Sequence, residues 1–286
     1  MRELTLNAYA KINLTLDILR CRPDGYHDLR MVMQTVSLHD LVTVRADTGT
    51  GDIAVRTGLA ELPDGSDNLA WKAARAFFDA TGLANSGLEI VIEKRIPICA
   101  GLAGGSADGA AVLKALKQML LPKLPEERLE NIGAQVGSDV PFCIRGGTAL
   151  AEGRGELLTA LPPMPNCLIV LCKPEFGIST PELFQRVRVE ELPFHPDTEG
   201  VRKALAAGTL ETVAQLTSNV FESVLLQEKN EIAAIERAMR DRGALGAAMT
   251  GSGPTVFGIF DNQEKACAVV ELLRSHYAQT YLTEPV

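Results

Sequence analysis

The stretch from residue 88 to 120 limits what this chain can fold into more than any other. Leu88-Glu-Ile-Val-Ile-Glu93 alternates apolar with mostly charged positions, the period of a half-buried strand, and an alanine-rich helix is predicted from Ser106 to Leu120. Between them lies Pro97-Ile98-Cys99-Ala100-Gly101-Leu102-Ala103-Gly104-Gly105-Ser106-Ala107. A strand that turns into a helix through this many small residues can bring its backbone close to a ligand. The free amides of the helix N-terminus then favour an anion. The loop is not a Walker A, because no Gly-Lys-[Ser/Thr] closes it, and its glycine spacing is not G-x-G-x-x-G. A tight turn binding nothing would need fewer glycines.

Around this loop the chain reads as alternating strands and helices. Strand character is predicted at 4–8, 12–18, 31–36, 41–45 and 53–56, followed by a helix over 68–81 with Asp67 as its cap and Gly82 as its stop. A helix over 125–136 and extended pieces at 138–144 and 148–152 complete the first half. Beyond Pro162, Pro163 and Pro165 comes a strand at 168–171, then helices at 181–187, 199–206, 210–216 and 228–242. Strands at 246–249 and 255–260, a helix over 263–276 and a last strand end the chain. The proline cluster is the predicted boundary between two α+β domains, 1–162 and 163–286, which suits a length of 286 residues.

Composition removes several classes of function. A net charge of −8 argues against general affinity for nucleic acid or an anionic membrane, though local donors can still hold an anionic small molecule. Six cysteines without a C-x-x-C pair read as buried free thiols, and four dispersed histidines offer no zinc pattern. Met1-Arg-Glu-Leu-Thr-Leu lacks the apolar core of a signal peptide, so a cytoplasmic protein is expected.

The glycine loop resembles the phosphate loop of the GHMP kinases, P-x-x-x-G-L-x-x-S with small residues around it. Asn7-Ala-Tyr-Ala-Lys-Ile-Asn-Leu14 is similar to the first motif of that family and Met249-Thr-Gly-Ser-Gly-Pro-Thr-Val-Phe257 to the third. Arg22-Pro-Asp-Gly-Tyr-His-Asp-Leu29 and Gly137-Ser-Asp-Val-Pro-Phe142 resemble the members that act on an alcohol carried by cytidine diphosphate. The resemblance implies an N-terminal domain like domain 2 of ribosomal protein S5 and a C-terminal ferredoxin-like sandwich. It also implies ATP and Mg²⁺, with ATP along residues 97–107, and phosphorylation of the 2-hydroxyl of a methylerythritol unit in non-mevalonate isoprenoid synthesis. The expected partner is that small molecule alone, bound by a monomer or homodimer.

Site residues follow from the matching positions. On residue type alone Lys11 reads as a solvated strand face and Asp139 as a turn cap; the resemblance implies that they are the catalytic pair. Asp139 would accept the hydroxyl proton and the Lys11 cation would keep that carboxylate ionised. Asn13, two residues beyond Lys11, would point to the same side and bind substrate. Tyr26 and Phe184 would stack on the cytosine and His27 would meet its edge, although an exposed hairpin tip and a core phenylalanine are the plainer readings. Thr180 and Gly251-Ser252-Gly253 complete the expected substrate contacts, the latter segment also reading as a simple hairpin turn. Ala103 and Ala107 stand where close relatives carry a glycine and a serine: Ala103 fits if its φ is negative, and Ala107 removes a hydroxyl. Another GHMP alcohol, or nucleotide binding without turnover, remain the alternative readings.

Overall fold

The computed structural model describes residues 2–286. Two compact units interleave along the chain: one comprises residues 2–10, 39–96 and 103–146, the other Lys11–Leu38, Pro97–Leu102 and Gly147–Val286. The interleaving has a simple origin in two long strands, β1 (Arg2–Cys21) and β2 (His27–Ala46), each of which gives one end to each unit. Neither breaks into the shorter strands expected from alternation. From Ala10 to Ile18 β1 is buried on both faces, so Lys11, Asn13, Thr15 and Asp17 interrupt the apolar pattern without ending the strand.

In the first unit β3 (Ile53–Arg56) runs parallel to β4 (Leu88–Glu93), and β4 pairs antiparallel with the end of β2, Leu41 opposite Glu93. The helices of this unit are α1 (Leu69–Thr81), α2 (Gly104–Leu120), α3 (Glu126–Val136) and α4 (Val140–Arg145). The cap of α1 is Asn68 rather than Asp67: its Oδ1 accepts from the Ala70 amide at 2.8 Å, and Gly82 closes the helix at φ +69°. Small residues on α2 let α1 approach closely, since a Cβ on Gly109 would stand 3.3 Å from the Leu69 carbonyl. The segment expected to be extended at 138–144 is instead largely α4, started by a proline in its first turn, where the missing N–H costs nothing.

In the second unit Leu29–Gln34 of β2 pairs antiparallel with β5 (Thr148–Gly153), which turns back into β6 (Leu157–Ala160), a strand with no forerunner in the sequence pattern. A separate antiparallel sheet has the order β11-β7-β10-β9, built from β7 (Leu168–Lys173), β9 (Gly246–Met249), β10 (Val256–Phe260) and β11 (Gln279–Thr283). Numbered within that sheet, the order is that of a ferredoxin-like sandwich. Helices α5 (Thr180–Arg186), α6 (Thr198–Ala207), α7 (Leu210–Gln215), α8 (Lys229–Arg240) and α9 (Gln263–Arg274) fill the connections. The apolar stripe of α8, Ile232, Ile235 and Met239, is buried, each side chain contributing about 1.5–3 kcal/mol. The two-residue strand β8 (Ser218–Asn219) lies parallel to β1 at Thr15 and Leu16. Among the described residues no helix is long and apolar enough to cross a membrane.

Among the described residues the cysteines form no disulfide, and they are not uniformly buried. Cys21 and Cys99 are exposed, whereas burial pushes Cys167 and Cys172 up to about 12.

Candidate active site

Strand β1 carries an unusual row. Lys11, Asn13, Thr15 and Asp17 share one face at the two-residue period and are all buried, Lys11 at 4% exposure. Lys11 is therefore not a solvated strand face. Its ammonium donates to Asn13 Oδ1 at 2.7 Å and to the Gly101 carbonyl at 3.0 Å, and its backbone amide reaches the Leu102 carbonyl at 3.2 Å. A buried ammonium without such acceptors would cost roughly several kcal/mol, so the loop carbonyl and Asn13 Oδ1 take the place of the water it has lost.

The third motif comes to the same point. The Asn13 backbone amide donates to Thr250 Oγ1 at 2.9 Å. Gly101 has φ +72°, and a Cβ placed on it would stand 2.3 Å from the Thr250 carbonyl and 3.0 Å from the Gly253 amide. A Cβ on Gly251 would come 2.7 Å from the Gly101 carbonyl and 3.2 Å from Lys11 Nζ. These glycines are required by the closeness of two backbones and not only by their turns. Segment 250–253 is therefore more than an isolated hairpin tip: its backbone touches the glycine loop and the strand lysine together.

Asn219 holds the segment from behind. Fully buried, it donates from Nδ2 to the carbonyls of Met249 at 2.9 Å and Gly251 at 2.8 Å, while its Oδ1 accepts from the Phe221 amide. Glu222 accepts from the Met249 amide at 2.9 Å; burial first, and then the neighbouring Glu236, push its carboxyl up to about 8. Ser252 and Thr180 share a hydroxyl hydrogen bond of 2.6 Å. The sequence carries no signal for Asn219 or Glu222, because neither sits in a motif or a periodic pattern.

The glycine loop continues into α2 with two residues in unexpected geometry. Ala103 has φ +58°, in the left-handed region, contrary to the negative φ under which it was expected to fit, and Cys99 has φ +50°. For a residue with a Cβ this conformation costs about 1–2 kcal/mol. Helix α2 begins at Gly104, two residues earlier than predicted, so Gly105 and Ser106 lie in its first turn, where amides point outward unbonded. Pro97, Ala100 and Leu102 are buried, Ile98 is half-buried, and Cys99 and Gly105 are exposed. Ala107 is 2% exposed and packs inward, so its side chain supports the turn and does not line it.

Within the first unit, a Cβ on Gly137 would lie 3.9 Å from Ser106 Oγ, which puts the Gly137-Ser-Asp139 turn beside the start of α2. Asp139 occupies the cap position of α4 but makes no side-chain capping bond, so the plain capping reading does not describe it.

Behind the same helix start is a buried ionic triad. Lys94 Nζ is hydrogen-bonded to Asp40 and to Asp108 Oδ2, the latter at 2.8 Å, with all three side chains at most 5% exposed. Asp40 Oδ1 also accepts from the amides of Arg95 and Ile96. Burial raises Asp108 to about 7, Lys94 opposing that shift and Asp40 adding to it. The Lys94 ammonium lies 3.3 Å from where a Cβ on Gly104 would be, so the triad packs directly under the first residue of α2.

The expected aromatic residues also fall in one unit. Tyr26 stands at the hairpin between β1 and β2 with 56% exposure, under the guanidinium of Arg154 at 5.1 Å. His27 stacks on Phe184, with centroids 5.1 Å apart and planes at 24°, and Phe184 meets Phe221 edge-on at 4.9 Å. Phe184 is thus half-buried, with one face on His27. Burial lowers the His27 pKa, so the ring is neutral near pH 7 and offers one donor and one acceptor nitrogen.

Comparison with known proteins identifies the family. The family model described as GHMP kinases N terminal domain matches residues 68–147, and that described as GHMP kinases C terminal matches residues 201–279. A curated protein of Lachnoclostridium phytofermentans named 4-diphosphocytidyl-2-C-methyl-D-erythritol kinase is 43% identical over 99% of this chain and 97% of its own length. One of the same name from Acetivibrio thermocellus is 42% identical over the whole of both chains. A solved structure of 4-(cytidine 5'-diphospho)-2C-methyl-D-erythritol kinase superposes with a TM-score of 0.82 at 31% identity, covering 99% of each chain. With its strand lysine, glycine loop and third-motif loop at one point, and both family models matched in order, the chain belongs to the GHMP kinases.

Proposed function

We propose that this chain transfers the γ-phosphoryl group of ATP to the 2-hydroxyl of 4-diphosphocytidyl-2-C-methyl-D-erythritol, giving the 2-phosphate and ADP. The observation that carries the reading is the buried Lys11, held between Asn13 and the Gly101 carbonyl where the loop 250–253 closes on the glycine loop. A protein keeps a lysine in such a place at a cost in desolvation, and a kinase has use for it. The full-length relatives named for this reaction support the choice of substrate.

In the proposed mechanism the polyphosphate of ATP lies along residues 97–107, against the unbonded amides of the first turn of α2. Asp139 takes the proton from the substrate hydroxyl, the hydroxyl oxygen attacks the γ-phosphorus, and the bond to the β-phosphate oxygen breaks to release ADP. Lys11 supplies positive charge to the developing alkoxide. Asn13 orients the acceptor and is itself fixed by Lys11 and Thr250. Tyr26, His27 and Phe184 hold the cytosine, with Thr180 and the Gly251-Ser252-Gly253 backbone as polar contacts. Among the described residues no three acidic, histidine or cysteine side chains are grouped as a metal cage. Ser106, in the first turn of α2, would offer a hydroxyl to a Mg²⁺ bound on the nucleotide phosphates. When bound, the ion neutralises charge on the transferring group.

The test is ADP release with ATP, Mg²⁺ and the cytidyl substrate, beside a panel of other alcohols phosphorylated by GHMP kinases. Turnover of the cytidyl substrate alone is expected, and Asp139→Asn should lower kcat by at least about 10²-fold while nucleotide still binds. Turnover of another alcohol only, or an Asp139→Asn variant of normal rate, would reject the substrate or the base respectively.

A further inference from the structure

Arg154 has no part in the reaction as described, yet it touches the exposed aromatic ring on which the substrate's base is placed. The turn between β5 and β6, Gly153-Arg154-Gly155-Glu156, carries it, and its two glycines have φ +68° and +112°. Because Gly153 pairs with Leu29 in the β5–β2 ladder, that turn lies alongside the hairpin bearing Tyr26 and His27. The guanidinium carbon is 5.1 Å from the Tyr26 centroid. The backbone of the turn is held by the two ladders of β5, with β2 and with β6, while the arginine side chain above it can turn.

The charges around Tyr26 differ in how firmly they are paired. Arg22 is bound to Asp28 at 2.8 Å and to Asp24 at 3.2 Å, and Arg20 is bound to Asp28 as well. Arg154 meets a carboxylate at longer range, Nε to Glu156 Oε1 at 3.8 Å, while Glu156 Oε2 accepts from the Arg154 backbone amide. The guanidinium therefore lies on an aromatic face and is not clamped in a two-point carboxylate pair. A planar fork of donors beside a nucleoside-binding ring suits a phosphate group, which it can grip through two charge-assisted bonds.

Lys11, the cation at the other end of the proposed substrate, is committed to Asn13 and Gly101. A cytidine diphosphate conjugate brings two ionised phosphates between those ends. We infer that Arg154 binds the diphosphate of the cytidyl substrate and so selects a nucleoside diphosphate conjugate over the bare alcohol or nucleoside. This rests on the proposed placing of the cytosine at Tyr26. The ring face serves as the guanidinium's resting place, from which it swings to the phosphates as the base stacks.

Calorimetric titration of the full chain with cytidine and with CDP tests this, with the ATP site saturated by a non-hydrolysable ATP analogue. Arg154→Met keeps an apolar side chain over Tyr26 and removes the charge. It should weaken CDP by about tenfold and leave cytidine within about twofold, a charge-assisted bond being lost only where phosphate is present. Arg154→Lys should recover part of the CDP affinity, and Tyr26→Ala should weaken both ligands. An equal loss for cytidine and CDP in Arg154→Met would reduce Arg154 to a support for the ring and overturn the inference, as would no loss at all. A wild-type chain that binds neither ligand would instead overturn the cytidyl reading, and this inference with it.

Discussion

Replacing Gly101 with alanine should separate the close approach of two loops from the ordinary cost of a left-handed turn. Gly101 has φ +72°, and Gly208, at the end of α6, has φ +68° with nothing within 4 Å of where its Cβ would stand. Each Gly→Ala change brings about 1–2 kcal/mol of left-handed strain, partly offset by a stiffer unfolded chain. For a chain of this size that lowers Tm by roughly 2–4 °C. Gly101→Ala has a further penalty, because its Cβ would stand 2.3 Å from the Thr250 carbonyl and 3.0 Å from the Gly253 amide. Ordinary contact is about 1 Å longer, so the loop carrying Thr250 must move or the Gly101 carbonyl must leave Lys11. A displacement of about 1 Å in a reacting constellation can cost about 10²-fold in rate. Steady-state kinase assays and thermal unfolding on the two variants read the two effects separately. Gly208→Ala should keep wild-type kcat/KM, whereas Gly101→Ala should lose about 10²-fold with a somewhat larger fall in Tm. A Gly101→Ala enzyme within threefold or so of wild type would refute the claim that this junction positions the lysine.

Other outcomes follow from the same geometry. Ala103→Gly removes the strain of φ +58° and should raise stability by about 0.5–1 kcal/mol in denaturant unfolding; a lower midpoint would contradict the strained assignment. Glu222 is held protonated to about 8 against an ordinary value of 4.5, so its contribution is complete below 4.5 and is lost as pH rises through 8. Unfolding free energies of Glu222→Gln should therefore fall less steeply than wild type from pH 5 to 8, and parallel profiles would disprove it. Lys94→Met leaves Asp40 and Asp108 buried without their cation and should cost about 3–5 kcal/mol, measured by urea unfolding. A loss below about 1 kcal/mol would mean that the carboxylates are neutral or hydrated there.

The fold was legible wherever one residue type has one physical use. The strand at 88–93 and the helices after 180 came from periodicity and stop signals that act within a few residues, whereas the ferredoxin-like sheet order was implied only by the resemblance to the GHMP kinases. Errors fell where local signals compete. Asn68 and Asp67 are both good caps, and the backbone chose the one whose side chain reaches the Ala70 amide. The segment 138–144 was expected to be extended, yet a proline in the first turn starts a helix there.

By itself the sequence determined that a small-residue loop follows a strand and enters a helix, and that a lysine, an aspartate and an aromatic pair stand at motif positions. Those properties are covalent, or are local backbone preferences. Only tertiary structure decided that Lys11 is buried, that its ammonium meets the Gly101 carbonyl, and that Gly101 and Gly251 nearly touch. Nor could the sequence tell that Ala103 is strained, that Asn219 braces the third motif, or that Arg154 covers Tyr26. Each of these depends on residues far apart in the chain meeting within hydrogen-bond or van der Waals range, and no local propensity records such a distance.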